Sequence, residues 1–249
     1  MNGYDKTKDF FSKNSDYYSK SESHARDNDL NILMDMLELN RDMIGLDAAT
    51  GAGFTAVKLA KKISKVYALD MVDKMLDETR KLAEENGLKN VITVKGYVDL
   101  MPFEDKKFDV VTSRRAPHHF RNKNEFANEC YRVLKPGGRI GIDDMTAPDN
   151  MINSLNDMER MRDPSHMYAA SPEEWKKILE NAGFSNIKSE IYSRKITFEQ
   201  WLNPVDKKSD EGIKSLEYIV NDRSGYSSAI GWDGKSFYKS WIVITGAKL

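Results

Sequence analysis

Cysteine is almost absent, with Cys130 alone in 249 residues. No intramolecular disulfide can form, which excludes a disulfide-stapled secreted scaffold. In "FANECYRVL" Cys130 shares a helical face with Phe126 and Leu134, so a small buried apolar residue is expected, not a nucleophile. Histidine is scarce too, at four. His24 and His166 stand alone, and the adjacent His118 and His119 do not converge on one ion, so no metal site is expected. Neither charge sign dominates: 38 Lys and Arg meet 39 Asp and Glu, for a net charge of -1. That balance argues against a nucleic-acid partner or an anionic membrane surface. No apolar run approaches the ~20 residues of a membrane span. "MNGYDKTKDFFSKN" lacks the apolar core of a secretion signal. The expectation is a soluble cytoplasmic protein with no stable membrane insertion. Internal repeats and low-complexity tracts are also lacking.

What the chain does have is an alternation of strand and helix. Residues 1–29 are polar and weakly periodic, a segment that would cover a ligand. Leu30, Leu33, Met34 and Leu37 then mark one helical face. Strands are expected at Met43–Ala48, Lys65–Leu69, Asn90–Val94, Phe108–Ser113 and Arg139–Asp143. Helices fill the gaps: one after Gly53, one from Val72 to the Asn86-Gly87 stop, and one over Asn124–Leu134 ended by Pro136-Gly137-Gly138. Such alternation implies an α/β, doubly wound Rossmann-like sheet, mostly parallel, with a ligand at the carboxyl ends of the strands. Later, Ser171 to Glu174 reads as a capping box with proline in the first turn, a strand is expected near Ile187–Ile196, a polar helical region spans Trp201–Val220, and "WIVITGAKL" is a strong closing strand. The arrangement is one domain over residues 30–249, with an insertion or lid after strand five at about 148–170.

The stretch "LDAATGAGFTA" carries the ligand signal. Gly51-Ala52-Gly53-Phe54-Thr55-Ala56 fits G-x-G-x-x-G/A, and Asp70 lies where a ribose-binding acid belongs. Alone, the pattern admits nicotinamide, flavin and other nucleoside cofactors. Asp47 argues against a dinucleotide. A pyrophosphate at a helix N-terminus wants positive potential, and an acid beside it repels. An acid there suits a ligand with a free amino group. No Gly-Lys-Ser/Thr follows, so a nucleoside triphosphate loop is excluded.

These residues resemble the class I S-adenosylmethionine-dependent methyltransferases. Asp47-Ala48-Ala49-Thr50-Gly51-Ala52-Gly53 is similar to their first motif, "YALDMVDKML" to the second, and "KGYVDLMPFEDKKFDVV" to the third and fourth. "RVLKPGGRIGIDD" and "SPEEWKKILENAGFSNIKS" extend the likeness, from about residue 17 to the end. "RRAPHHF", "DDMTAPD" and "ERMRDPSH" resemble the UbiE-type branch, which includes quinone C-methyltransferases. The resemblance implies an antiparallel C-terminal strand and a cofactor site of Asp47, Ala49, Thr50, Gly51, Gly53, Asp70, Met71, Tyr97, Val98 and Arg114. Asp70 would take the ribose hydroxyls and Met71 would pack on the adenine. The third motif reads Gly96-Tyr97-Val98 where the family has Gly-Asp-Ala. Adenine is then held by Tyr97, by Asp99, or less tightly. Tyr18 is the expected cofactor contact from the leading segment.

Methyl transfer from a sulfonium needs a placed nucleophile and, for an enolic or phenolic acceptor, a base. His119, Asp144 and Arg114 are the expected catalytic residues, with His118 as a lesser candidate. Arg114 or Arg115 would bind an anionic acceptor or pair with Asp143 or Asp144. Arg162, Asp163 and His166 lie in the insertion, where they would shape a lid or cap a helix, and the methionine-rich stretch from Met145 to Met167 would line an apolar pocket or join the core. The sequence thus predicts an S-adenosylmethionine-dependent methyltransferase for a small, quinone-like or aromatic acceptor. The alternatives are a nicotinamide-dependent oxidoreductase and a non-catalytic S-adenosylmethionine-binding protein. The lid and the terminal strand both offer surfaces for a homodimer.

Overall fold

Short aliphatic runs, each bounded by polar residues, make the strands of one sheet in a computed structural model that describes residues 3–19, 28–222 and 224–249. The strands are β1 (Ile44–Ala48), β2 (Lys65–Asp70), β3 (Val91–Lys95), β4 (Phe108–Arg114), β5 (Leu134–Thr146), β6 (Ser185–Thr197) and β7 (Ser236–Ala247). Their order is β3-β2-β1-β4-β5-β7-β6. The first five run parallel. β7 lies antiparallel between β5 and β6. The chain winds outward in both directions from β1 and β4, so a crevice opens at their carboxyl ends.

Helices α1 (Gly3–Ser19), α2 (Asn28–Met36), α3 (Phe54–Ala60), α4 (Asp73–Glu85), α5 (Lys123–Val133), α6 (Ile152–Arg162), α7 (Pro172–Asn181), α8 (Phe198–Leu202), α9 (Asp210–Val220) and α10 (Tyr226–Ala229) surround the sheet. A single 3-10 turn, Pro117–His119, follows β4. One face of the sheet buries Leu30, Leu33, Met34 and Leu37 from α2 with Ala56 and Leu59 from α3. The other buries Phe126 and Cys130 from α5 with Trp175 and Leu179 from α7, each large side chain contributing about 1.5–3 kcal/mol. Cys130 is buried, which pushes its thiol well up, as expected of a packing residue. A third cluster joins Met145, Leu155 and Met158 to Trp201, Phe237 and Trp241. It seats α6 and α8 over the end of β7. Among the described residues no helix is long and apolar enough to cross a membrane.

Several boundaries differ from the sequence expectation. α5 stops at Val133, and β5 begins at Leu134, ahead of Pro136-Gly137-Gly138. Leu134 already pairs with Phe108, and the register then shifts before Arg139 meets Val110. The Pro-Gly-Gly run is therefore an irregularity within a strand, not a break before one. The weakly periodic lid holds a helix, α6. Of its methionines, Met158 is core while Met161 and Met167 are exposed. β7 starts at Ser236, five residues before Trp241. Ser171 caps α7 at the Glu174 N–H as its spacing predicts, while the Glu174 carboxylate accepts from the Tyr168 hydroxyl.

Candidate active site

A cleft of about 820 Å³ opens over the carboxyl ends of β1, β2, β4 and β5. Its first half is built on the glycine turn. β1 runs into the turn through Ala49, held at a φ of 57°, and β4 leaves through Arg115 at 51°. Non-glycine residues in that region are strained, and here both flank the cleft. The Asp70 carboxylate organises the turn. Oδ2 accepts from the Gly51 N–H at 2.9 Å and Oδ1 from the Val72 N–H at 2.9 Å. Burial pushes Asp70 up to about 6 despite those donors. Ala49, Thr50, Gly51, Asp70, Met71, Tyr97 and Val98 all line this half, as the resemblance implied.

Two implied ligand contacts stand elsewhere. Asp47 lies under the turn, off the cleft wall. Its carboxylate accepts from the Thr50 hydroxyl at 2.6 Å and the Thr112 hydroxyl at 2.8 Å, and burial raises it to about 6. Gly53 also lies off the wall. A Cβ on it would meet Thr79 at 2.8–2.9 Å, so this glycine lets α3 approach α4. Gly51 is the opposite case: at a φ of 54° a Cβ would meet nothing within 4 Å. Asp99 is turned away too, accepting from the Tyr4 hydroxyl. That bond ties α1 down, and the Tyr4 ring sits 5.1 Å from the Tyr97 ring. Tyr4, Thr7 and Phe11, one helical face of α1, reach the cleft. Their spacing of three and four was readable in the sequence. Tyr18 lies on α1, but its side chain is outside the described residues, as is His24.

The second half is polar and charged. Arg114, expected at the reacting centre, lines the cleft but is engaged by carboxylates. Its guanidinium meets Asp29 at 2.6 Å and Asp143 at 3.2 Å, and Arg115 shares the same two acids. Burial and the neighbouring Asp29 raise Asp143 well above the carboxylate range, against the pull of both arginines. Burial opposes ionisation of Asp29 as well, but the Asp143 hydrogen bond and both arginines outweigh it and hold Asp29 at about 2. The pairing with Asp143 was foreseen; Asp29, from α2, was not.

His118 and His119 both line the cleft from the turn after β4. Only His118 has a carboxylate: its Nδ1 lies 2.5 Å from Asp144 Oδ1. Burial and the His119 ring beside it push the His118 imidazole well down, so it is neutral. Burial raises Asp144 to about 7. His119 instead points Nδ1 at the Ser165 carbonyl and hydroxyl, each at 3.1 Å. Ser165 in turn donates to Asp163, which reaches the cleft with Arg162. His166 bonds Asn156 at 2.7 Å and stacks on His118 without lining the cleft. Among the described residues no three His, Cys, Asp or Glu are grouped to hold a metal ion. The wall is completed by residues the sequence did not single out: Arg194 and Ile196 on β6, Trp201 on α8, and Lys239 and Trp241 on β7.

Residues 39–183 match the family described as a methyltransferase domain. The chain belongs to that family. A protein of Bacillus halodurans C-125, assigned as a methyltransferase, has a crystal structure similar to this one, with a TM-score of 0.83 at 33% identity, over 89% of this chain and 99% of that one. The uncharacterized methyltransferase YcgJ of Bacillus subtilis is 28% identical over 247 residues, 96% of this chain and 97% of its own, and its structure matches with a TM-score of 0.82. A demethylmenaquinone methyltransferase of Lactobacillus johnsonii is 32% identical over 123 residues, 48% of this chain and 50% of its own.

Proposed function

We propose that the protein transfers a methyl group from S-adenosylmethionine to a small-molecule acceptor, with the cofactor in the glycine-turn half of the cleft and the acceptor in the half toward β6 and β7. The cleft itself carries this reading. About 820 Å³ is near the top of the roughly 300–1,000 Å³ range for small-molecule sites, and its two halves differ in chemistry. Asp70 offers its carboxylate to the ribose hydroxyls. Met71 and Val98 pack on the adenine, and Tyr97 supplies a ring beside Tyr4. The open Gly51 turn, with Ala49 and Thr50, follows the methionine portion. Asp47 acts from beneath, holding Thr50 and favouring positive charge above it. When bound, S-adenosylmethionine supplies an electrophilic methyl on a good leaving group. This chain's residues hold the nucleophile about 3–3.5 Å away, exclude water and take up the acceptor's proton at His118 Nε2. A quinone-like ring would meet Trp201 and Trp241, but the quinone-methylating relative aligns with only half of the chain, so its acceptor is not carried over.

Calorimetry with S-adenosylhomocysteine and with NAD tests the donor: binding of NAD alone would sink the reading. The pH dependence is specific. Ribose hydroxyls donate to an ionised Asp70, so S-adenosylhomocysteine affinity should fall below about pH 6, approaching tenfold per unit. Asp47 titrates in the same range, so the fall must persist in Asp47→Asn and vanish in Asp70→Asn. Affinity that stays flat down to about pH 5 contradicts the ribose role.

The two glycines separate stability from binding. Gly53→Ala places Cβ against the Thr79 backbone at a φ of 89°, and should cost about 2–4 kcal/mol in denaturant unfolding. Gly51→Ala meets no atom, should cost about 1–2 kcal/mol of backbone strain, and should weaken S-adenosylhomocysteine binding by more than tenfold. Equal effects of the two substitutions on binding would show that both glycines face the ligand.

A further inference from the structure

The acceptor half holds a buried cation, Lys239, whose donors are only partly met among the described residues. Its side chain is 7% exposed, it lines the cleft, and it donates one hydrogen bond among the described residues, to Glu159 Oε1 at 2.5 Å. An ammonium has three donors, and two N–H groups here have no protein acceptor. Glu159 cannot serve them. Oε1 already takes Trp201 Nε1 at 2.9 Å, and Oε2 takes Arg162 through Nε at 2.9 Å and Nη2 at 2.6 Å. One carboxylate thus answers two cations.

The sheet register adds a third. Arg194 on β6 lies directly opposite Lys239 on β7. Like charges in opposed ladder positions repel. Arg162 and Arg194 have further partners of their own, so what is left unanswered on this wall is Lys239. The acids on the same wall meet other groups, Asp144 through Oδ1 to His118 and Asp163 through Oδ1 to the Ser165 N–H and hydroxyl, and neither accepts from Lys239. Lys239 is also close enough for its charge to bear on both His118 and Asp144. A group held by Lys239 therefore lies beside the imidazole that would take the acceptor's proton. Burial lowers Lys239 to about 8, with Glu159 acting against it.

We infer that this end of the cleft seats an anionic group of the methyl acceptor, a carboxylate or a phosphate, on Lys239 with Arg162 and Arg194 beside it. Charge-assisted hydrogen bonds to such a group supply the acceptors that the protein lacks. The indoles of Trp201 and Trp241 flank the remainder of the acceptor. The inference rests on the methyltransferase reading only in calling the anion part of the acceptor.

Calorimetry on the full chain tests it, with benzoate, phenyl phosphate and the neutral isostere benzamide, at constant ionic strength and with S-adenosylhomocysteine saturating. Benzoate or phenyl phosphate should bind at least tenfold more tightly than benzamide, and the tighter of the two names the anion class. Lys239→Gln should remove that preference and leave S-adenosylhomocysteine affinity unchanged, and Lys239→Arg should restore part of it. If Lys239→Gln does not fold, Arg194→Gln, an exposed position, should reduce the preference in the same direction. Equal binding of benzoate and benzamide, binding of neither anion at millimolar concentration, or a preference untouched by the substitutions overturns the inference. Failure of S-adenosylhomocysteine to bind the wild type overturns the donor assignment instead, and the same anion series in the ligand-free protein still decides this one.

Discussion

Replacing His118 by alanine is expected to lower the methyl-transfer rate by roughly 10²–10⁴-fold, the contribution of a placed acid–base group, with S-adenosylhomocysteine affinity held within about threefold. The reason is orientation. An ionised Asp144 accepts from Nδ1–H at 2.5 Å, which fixes the tautomer that leaves a lone pair on Nε2. Burial keeps the ring neutral, which leaves the Nε2 lone pair free but weakens it as a base, so the ionised Asp144 is needed to stabilise the imidazolium as the proton arrives. The Asp144 proton controls the pair. Burial raises Asp144 to about 7, against the charges of Lys123 and Lys239 that face it from α5 and β7, with the His119 ring beside it on the 3-10 turn. Below that pH, a protonated Asp144 donates to Nδ1, the hydrogen moves to Nε2, and the base is lost. The rate should therefore rise with pH through about 7, and Asp144→Asn should abolish that limb. The alanine keeps the turn, because the bonds His118 makes to Met167 and Tyr168 use its carbonyl, but it leaves buried Asp144 without its imidazole and should cost about 1–3 kcal/mol of stability. His119→Ala should be the milder change, since that ring is held by Ser165 and by the edge of Phe11. A larger loss in His119→Ala would return the base to the residue the sequence favoured. A rate unmoved by either points to an acceptor that is nucleophilic without losing a proton.

The difference between those two histidines shows where sequence reading stops. The strands β1 to β5, the glycine turn, Asp70, Met71 and the cap at Ser171 were legible because each is a local pattern: a short aliphatic run, a spacing, a capping residue. Asp144 was legible because it follows directly on the aliphatic run expected as the fifth strand, which in fact continues to Thr146. Which of two adjacent imidazoles meets it was not, since that depends on how one 3-10 turn is rotated. Lys239 was missed for another reason. The expected closing strand began at Trp241, whereas pairing with β6 extends β7 back to Ser236 and brings Lys239 to the cleft wall. No local signal marks that extension; it is a property of the ladder. Asp29 and Glu159 were missed in the same way. Each sits in a helix whose sequence shows a solvated acid, and each is buried because arginines or a lysine arrive from strands and helices far along the chain. Asp47 is the converse: its motif was read correctly, but its carboxylate is spent on two hydroxyls beneath the turn.

Glu159→Gln should give the largest loss of stability, about 3–5 kcal/mol, because removing one partner strands the others. Glu159 is fully buried and accepts from Lys239, Arg162 and Trp201. Glutamine keeps the shape and one acceptor oxygen, but turns an amide N–H₂ toward a cation and leaves two buried charges without a counter-charge. For a chain of this size the melting temperature should fall by roughly 6–20 °C. The pH dependence isolates the cause. Burial opposes ionisation of Glu159, but Arg162 and Lys239 outweigh it and hold the carboxyl well below its usual range. The stability it contributes is therefore complete above the unfolded value of about 4.3, and is lost as pH falls toward the folded one. The gap between wild type and Glu159→Gln should be widest near pH 5 and close on further acidification. It should also narrow as pH rises toward about 8: without Glu159, which raises it, Lys239 sheds its proton at a lower pH than in the wild type, and one stranded charge disappears. A gap that does not change with pH means the glutamine acts by packing alone. A gap under about 1 kcal/mol means the cations find other partners, and α6 is then not pinned to β7 through this carboxylate.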